Sequence, residues 1–351
     1  MNEILLEDIH DFVQSCRFAP ELSDSKVLIT GGTGLIGSTL VHCLQALGVG
    51  IQMTLPVRNR EKALEMYPHC EQVIDVVECD LVDYIKNLNH SFDYIIHCAS
   101  PTEGRYMTEF PVETYDLAYQ STLALMEYAR KFQVKGIVYL SSIEYYGQIM
   151  SDDVVTEDTQ GTVDITSARS CYPMGKRAAE FLCTAYAKEY AVPVKVARLT
   201  QTLGPGVAYN DNRVFAQFTR SIINSEDIVL HTTGESAKPY LYTTDCVEAL
   251  LYILLRGTPG EAYNVCNDDT YISIRDLALF LKDNFASAIK VLVEHHPEMG
   301  YAPVTRVRLS SEKLQKLGWR PHYGLYDMFE RLMKSMSHNN NDSKEHARHD
   351  D

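Results

Sequence analysis

A doubly wound α/β fold, a parallel sheet covered on both faces by helices with a smaller mixed α/β lobe toward the C-terminus, is predicted by three observations. From Lys26 onward short apolar runs alternate with helix-length amphipathic stretches, which is the pattern of strands joined by crossover helices. The first of those runs ends in Gly31-Gly32-Thr33-Gly34-Leu35-Ile36-Gly37. At 351 residues the chain also exceeds what one hydrophobic core usually organises, so an appended lobe or a second domain is expected.

The elements follow in order. Residues 1–24 place Ile4, Leu5, Ile9, Phe12 and Val13 at helical spacing before Pro20, which predicts an N-terminal helical extension. The runs 27–30, 51–57, 73–77, 94–99, 137–140 and 194–199 predict the strands of a dinucleotide-binding domain spanning 25–200. After Gln201 the rhythm loosens through Gly204-Pro205-Gly206, a helix over 214–223, Gly234 and Pro239, so a substrate-binding lobe begins with 201–239. A helix over 244–255 and a strand over 262–265 predict that 240–267 returns to the main sheet, and helices within 268–335 complete the lobe. Residues 336–351 contain almost nothing to bury and are expected to be a disordered tail.

Composition narrows the function. Lys plus Arg number 32 against 47 Asp plus Glu, a net charge of −15 that repels nucleic acid and anionic membranes over most of the surface. An anionic ligand must therefore enter a local basic or amide-lined site. The nine cysteines are odd in number and lack zinc-site spacing, so they read as reduced core thiols with no metal. No apolar run approaches the ~18 residues of a spanning helix, and Glu3, Glu7 and Asp8 stand where a signal peptide would be basic. A cytoplasmic address is expected.

Gly31, Gly34 and Gly37 lie between a strand and a helix, the context of a Rossmann-type dinucleotide site. Glycine allows a tight turn and close backbone approach, and the helix start at Thr33, Leu35 and Ile36 offers amides and the positive dipole end to a pyrophosphate. Where a carboxylate normally binds the adenosine ribose hydroxyls of NAD, the second strand instead ends in Val57-Arg58-Asn59-Arg60. A guanidinium there favours the 2′-phosphate of NADP, although Arg58 solvated or stacked on adenine is the alternative. The strand-end residues Asp80-Leu81 and Cys98-Ala99-Ser100 are expected to line the same cofactor, with Asp80 at the adenine amino group or serving as an ordinary strand-end acid.

Chemistry is carried by Tyr172-Pro173-Met174-Gly175-Lys176, with Ser141-Ser142 upstream at a strand end. Tyr172 and Lys176 share one helix face, so the ammonium is expected to lower the phenol's pKa and to hold the nicotinamide ribose. Tyr172 then exchanges a proton with an alcohol while Ser142 fixes the direction of the oxygen. An exposed Tyr and Lys on a helix is the bland alternative.

These motifs, with Tyr146-Gly147, Arg198, Gly204-Pro205 and Leu317-Gly318-Trp319-Arg320-Pro321, make the chain from about Lys26 to Trp319 resemble the extended short-chain dehydrogenase/reductase family, in its nucleotide-sugar epimerase, dehydratase and decarboxylase branch. Ser142-Ile143-Glu144 and Asn210-Asp211-Asn212-Arg213-Val214 resemble UDP-glucuronate decarboxylases most. The 4,6-dehydratases carry Asp-Glu where Ile143-Glu144 stands, so plain dehydration is not expected. The resemblance implies a bound NAD, Glu144 near C5 of a sugar, and Arg213 and Arg306 meeting uridine diphosphate. Gln201 and Lys238 replace an Asn and an Arg of the relatives, and both still donate hydrogen bonds.

The expected activity is transient oxidation at C4 of a nucleotide-diphosphate sugar, with loss of a C6 carboxylate to give a UDP-xylose-like product. NADPH-dependent reduction or epimerisation of a nucleotide-linked sugar or sugar phosphate is the second reading, supported by Arg58. A dinucleotide-sensing regulator without chemistry is the third. Many relatives pair through two long helices, here about 112–132 and 172–190, and Leu123, Leu125, Met126, Ala179, Leu182 and Ala185 are the expected seam of a homodimer.

Overall fold

Aliphatic strands with both faces apolar require helices above and below them. The computed structural model, which describes residues 2–70, 72–149, 151–294 and 304–349, meets that requirement. Residues 295–303 of the expected lobe and 350–351 of the expected tail lie outside the described residues.

Seven strands form one sheet: β1 (Lys26–Thr30), β2 (Gln52–Val57), β3 (Ile74–Glu78), β4 (Tyr94–His97), β5 (Gly136–Ser142), β6 (Val194–Leu199) and β7 (Ala262–Val265). Their order is β3-β2-β1-β4-β5-β6-β7 and every neighbouring pair is parallel. The chain winds outward in opposite directions from β1 and β4, and a crevice opens beyond the carboxyl ends of those two strands. Thr30 stands opposite His97, and Ser142 opposite Leu199, at that edge.

The main helices are α1 (Glu3–Ser15), α2 (Leu35–Ala46), α3 (Pro111–Phe132), α4 (Cys171–Tyr190), α5 (Val214–Asn224), α6 (Thr243–Arg256), α7 (Ile274–Phe285) and α8 (Leu325–His349). Helices α2 and α6 cover one face of the sheet with Leu40, Leu44, Leu250 and Ile253, and α1 adds Ile9 and Phe12 to the same core. Helices α3 and α4 cover the other with Leu125, Met126, Ala179 and Cys183. Each buried Leu, Ile, Phe or Met among them contributes roughly 1.5–3 kcal/mol relative to exposure. No described helix is long and apolar enough to cross a membrane.

The extension α1 is fastened by a buried charge. Asp8 accepts from the Tyr242 hydroxyl (2.7 Å) and from Nε of Arg331 (2.8 Å), so it joins α1 to the start of α6 and to α8. Burial raises its pKa to about 6 against the lowering pull of those two partners.

The lobe has its own core, including Phe215, Tyr240, Tyr242, Leu277, Leu281, Met328 and Phe329. Strand Gln201–Leu203 pairs in parallel with Tyr240–Tyr242, where the sequence reading begins the returning segment; Tyr240 and Tyr242 join the lobe's core and Leu241 the core of the main sheet. Further two- and three-residue pairings, Ala237–Lys238 with Ile272–Ser273 and Ile228–Leu230 with Val291–Val293, are too short to leave an alternating pattern in the sequence. Segment 336–351 was expected as a tail; α8 runs on to His349, and Leu332, Ser335 and Met336 are buried on it. Lys344, Glu345, Ala347 and Arg348 are good helix formers, so local propensity favours helix there.

The expected dimer seam is also revised. Leu125, Met126, Ala179 and Leu182 are buried within the protomer and Leu123 and Ala185 are half-buried, because α3 and α4 turn these residues inward. The apolar side chains left exposed on the two helices are Val112 (73%), Tyr115 (39%), Phe181 (70%) and Tyr190 (39%).

Candidate active site at the crevice

The cradle follows from backbone constraints. Gly31 has φ +70°, and a Cβ there would lie 2.7 Å from the Ala99 nitrogen; a Cβ on Gly37 would lie 2.2 Å from the Gly31 oxygen. Only glycine lets β1, α2 and the end of β4 come this close. Gly34 caps α2 without any side-chain hydrogen bond, so the first amides of the helix, at Leu35 and Ile36, remain available to a phosphate. The residues present fit a dinucleotide pyrophosphate.

Around the adenosine side the expected residues are unequally free. Arg58 is exposed, with no ion pair or hydrogen bond among the described residues. Asn59 accepts from the Lys62 amide (2.8 Å) and caps the helix Arg60–Met66. Asp80 similarly caps Leu81–Asn87, accepting from Val82 (2.9 Å) and Asp83 (3.0 Å) through one oxygen, Oδ1. Its ordinary strand-end role is therefore present whatever it does for adenine.

A buried relay fixes the β1–β4 junction. Ser121 donates to the Leu117 carbonyl (2.6 Å), so it accepts from Nε2–H of His97 (3.1 Å). Nδ1 of His97 is then the acceptor for the Thr30 hydroxyl (2.6 Å), whose oxygen accepts the Ala99 amide (3.2 Å). Burial, with Lys176 nearby, lowers the His97 pKa to about 3, which keeps the ring neutral and this tautomer in place. The relay holds Cys98, Ala99 and Ser100 at the crevice; Cys98, among the partly buried residues, is raised to about 12 by burial.

The catalytic group assembles from β5 and α4. Ser142 ends β5 and accepts the Glu144 amide (3.2 Å), which opens a short 3-10 turn, Ile143–Tyr146. The hydroxyls of Ser142 and Ser100 lie close enough to the Tyr172 phenol to favour its ionised form. One turn along α4, the buried Lys176 donates to the Leu140 carbonyl (2.8 Å), with its Nζ 5.5 Å from the Tyr172 ring centre. Burial lowers Lys176 to about 8. The phenol is not held near neutrality as the spacing had led us to expect: burial and then the Glu144 charge push Tyr172 up to about 12. Behind Lys176, Glu180 is buried against Arg198, whose Nη2 lies at 2.8 Å and which also donates to Tyr146 (2.9 Å).

The residues expected to meet substrate fall into two groups. Gln201 and Lys238 come from separate two-stranded pairings of the lobe and meet at 3.3 Å, Nζ to Oε1; burial lowers the Lys238 pKa while Glu144 opposes that shift. Arg213 and Arg306 are instead engaged in ion pairs, with Asp211 (2.6 Å) and Glu235 (2.9 Å). The sequence reading missed Arg169, which pairs with Glu144 at 2.9 Å and lies 5.8 Å from the Tyr172 ring centre. Its sequence signal was its place in the turn Ala168–Ser170 just ahead of Tyr172.

Solved structures share the architecture. A UDP-glucose 4-epimerase from Thermotoga maritima superposes with a TM-score of 0.77 at 20% identity, over 89% of this chain and 99% of that one. A UDP-glucuronic acid 4-epimerase from Bacillus cereus gives 0.74 at 18% identity, with the same shares. In sequence, UDP-glucuronic acid decarboxylase 1 of Xenopus tropicalis is 28% identical over 317 residues, 87% of this chain and 70% of that protein. UDP-glucuronic acid decarboxylase 6 of Arabidopsis thaliana is 28% identical over 307 residues, 85% of each. The model of the NAD dependent epimerase/dehydratase family matches residues 27–266, from β1 through β7 and so across the cradle and Tyr172, and the chain belongs to that family.

Proposed function

We propose that the protein is a nucleotide-sugar enzyme that decarboxylates a nucleotide-diphosphate hexuronate, UDP-glucuronate foremost, to a UDP-xylose-like product. The observation that carries this reading is Glu144, held beside Ser142 and Tyr172 with Ile143 in the place where a dehydratase would put its second acid. The relatives named as UDP-glucuronic acid decarboxylases support it. The lobe of 201–239 and 268–335 supplies the substrate side through Gln201, Lys238, Arg213 and Arg306.

A nicotinamide cofactor held by the glycine cradle with Tyr172 and Lys176 would supply the hydride acceptor for C4 and the donor that restores the hydride. Tyr172, with the Lys176 ammonium 5.5 Å from its ring centre, takes the proton of the 4-hydroxyl. Ser142, whose oxygen accepts the Glu144 amide, turns its own proton toward the C4 oxygen. With a ketone at C4 the C6 carboxylate is a β-keto acid. Loss of carbon dioxide leaves its electrons on the C4 oxygen as an enolate, stabilised by Tyr172 and Ser142. Glu144 orders the sugar or a water for reprotonation at C5.

A second reading, net NADPH-dependent reduction or epimerisation, draws on one observation: Arg58 is exposed and, among the described residues, unpaired at the ribose position, where an acid would repel a 2′-phosphate. UDP-glucuronate labelled with carbon-13 at C6 separates the two. Labelled carbon dioxide released without added reductant supports decarboxylation. Consumption of NADPH on a keto-sugar nucleotide, with no carbon dioxide from UDP-glucuronate, overturns it. The protein further pairs as a homodimer through the exposed faces of α3 and α4.

A further inference from the structure

The sugar side of the crevice has an uneven distribution of charge. Arg213 and Arg306 each have a carboxylate partner, Asp211 and Glu235. Glu144 is a single carboxylate within the influence of two cations, Arg169 at 2.9 Å and the half-buried Lys238. Glu144 and Arg169 are also the more open members of this group, their side chains 41% and 40% exposed. A pair so accessible to water is weakly held and readily exchanged.

We propose that Arg169 selects the anionic sugar: its guanidinium, paired with Glu144 in the free protein, passes to the C6 carboxylate of the bound substrate and releases Glu144 toward the reacting carbons. This rests on the hexuronate reading above and adds the residue that enforces it. Nη2 of Arg169 reaches both Glu144 oxygens, at 3.0 and 2.9 Å, and a planar guanidinium can exchange one such carboxylate for another, with a fork of donors that the Lys238 ammonium does not offer. Its position suits the exchange. Arg169 sits in the turn Ala168–Ser170 that leads into α4, with its guanidinium carbon 5.8 Å from the Tyr172 ring centre, so a carboxylate bound there lies beside the oxygen chemistry at C4. A neutral hydroxymethyl at C6 has no charge to offer in place of Glu144. Arg169 then remains paired, and the sugar gains nothing from it.

Calorimetric titration of the cofactor-loaded protein with UDP-glucuronate, UDP-glucose and UDP tests the exchange. The wild type is expected to prefer UDP-glucuronate over UDP-glucose by ~10-fold or more. Arg169→Gln should abolish that preference while leaving UDP affinity within about 2-fold, and Arg169→Lys should restore part of it. Glu144→Gln removes the competing carboxylate and should increase the preference. A preference that survives Arg169→Gln overturns the role of Arg169 and leaves the hexuronate reading intact. An equal loss of affinity for all three ligands makes Arg169 a structural residue of the turn and overturns it too. If the wild type itself fails to prefer UDP-glucuronate, the hexuronate reading falls and the selector falls with it.

Discussion

Tyr172 is surrounded by groups that act on its proton in opposite directions: burial and Glu144 favour the phenol, Ser142, Ser100 and Arg169 the phenolate. Replacing it by Phe removes the proton and keeps the ring. Turnover should fall by at least ~10² while cofactor affinity stays nearly unchanged, which steady-state kinetics and cofactor titration together check. Arg58 offers a second test at this scale, because among the described residues its guanidinium has no carboxylate partner. Arg58→Asp should weaken NADP(H) far more than NAD(H), and equal losses would remove it from the recognition of the 2′-phosphate. The glycines and the Tyr172–Lys176 spacing were legible in the sequence because each acts within a few residues of backbone. Arg169 with Glu144, and His97 with Thr30 and Ser121, were not, because such pairs are made by the packing of separate elements.

At the scale of elements, six of the sheet strands and the returning strand β7 were readable from apolar runs, with ends that moved by a few residues. The paired segments of the lobe were not, since two or three residues establish no period. Nor did the sequence show what fastens α1, for which Asp8, Tyr242 and Arg331 had to be brought together. That junction predicts a pH dependence. The folded pKa of Asp8, about 6, lies above its ordinary 3.8, so the folded state holds the proton more tightly and stability falls as pH rises from about 4 through 6. For a fully buried carboxyl the change is on the order of 3 kcal/mol at most. Asp8→Asn should flatten this part of the stability profile in denaturant titrations; an unchanged slope would locate the titrating group elsewhere.

For the whole molecule, the doubly wound sheet and the appended lobe were legible, whereas the face available to a second copy was not. A helical stripe records which side is apolar but not which of two apolar sides the sheet will claim. Val112 and Phe181 remain exposed on α3 and α4, so light scattering should give a dimer mass at micromolar concentration, and Phe181→Glu should give a monomer. A monomeric wild type would contradict the seam.

In the proposed reaction Tyr172, Ser142 and Glu144 serve an oxidation that is reversed before product leaves. UDP-glucuronate supplied in heavy water with no added reductant, followed by location of deuterium in the product, tests this. The expected product is a pentose nucleotide with solvent deuterium at C5 and none at C4, because the C4 hydride never exchanges with solvent, with no lasting NADH absorbance. Deuterium at C4, or recovery of unchanged UDP-glucuronate while NADPH is consumed on a keto-sugar nucleotide, would contradict it.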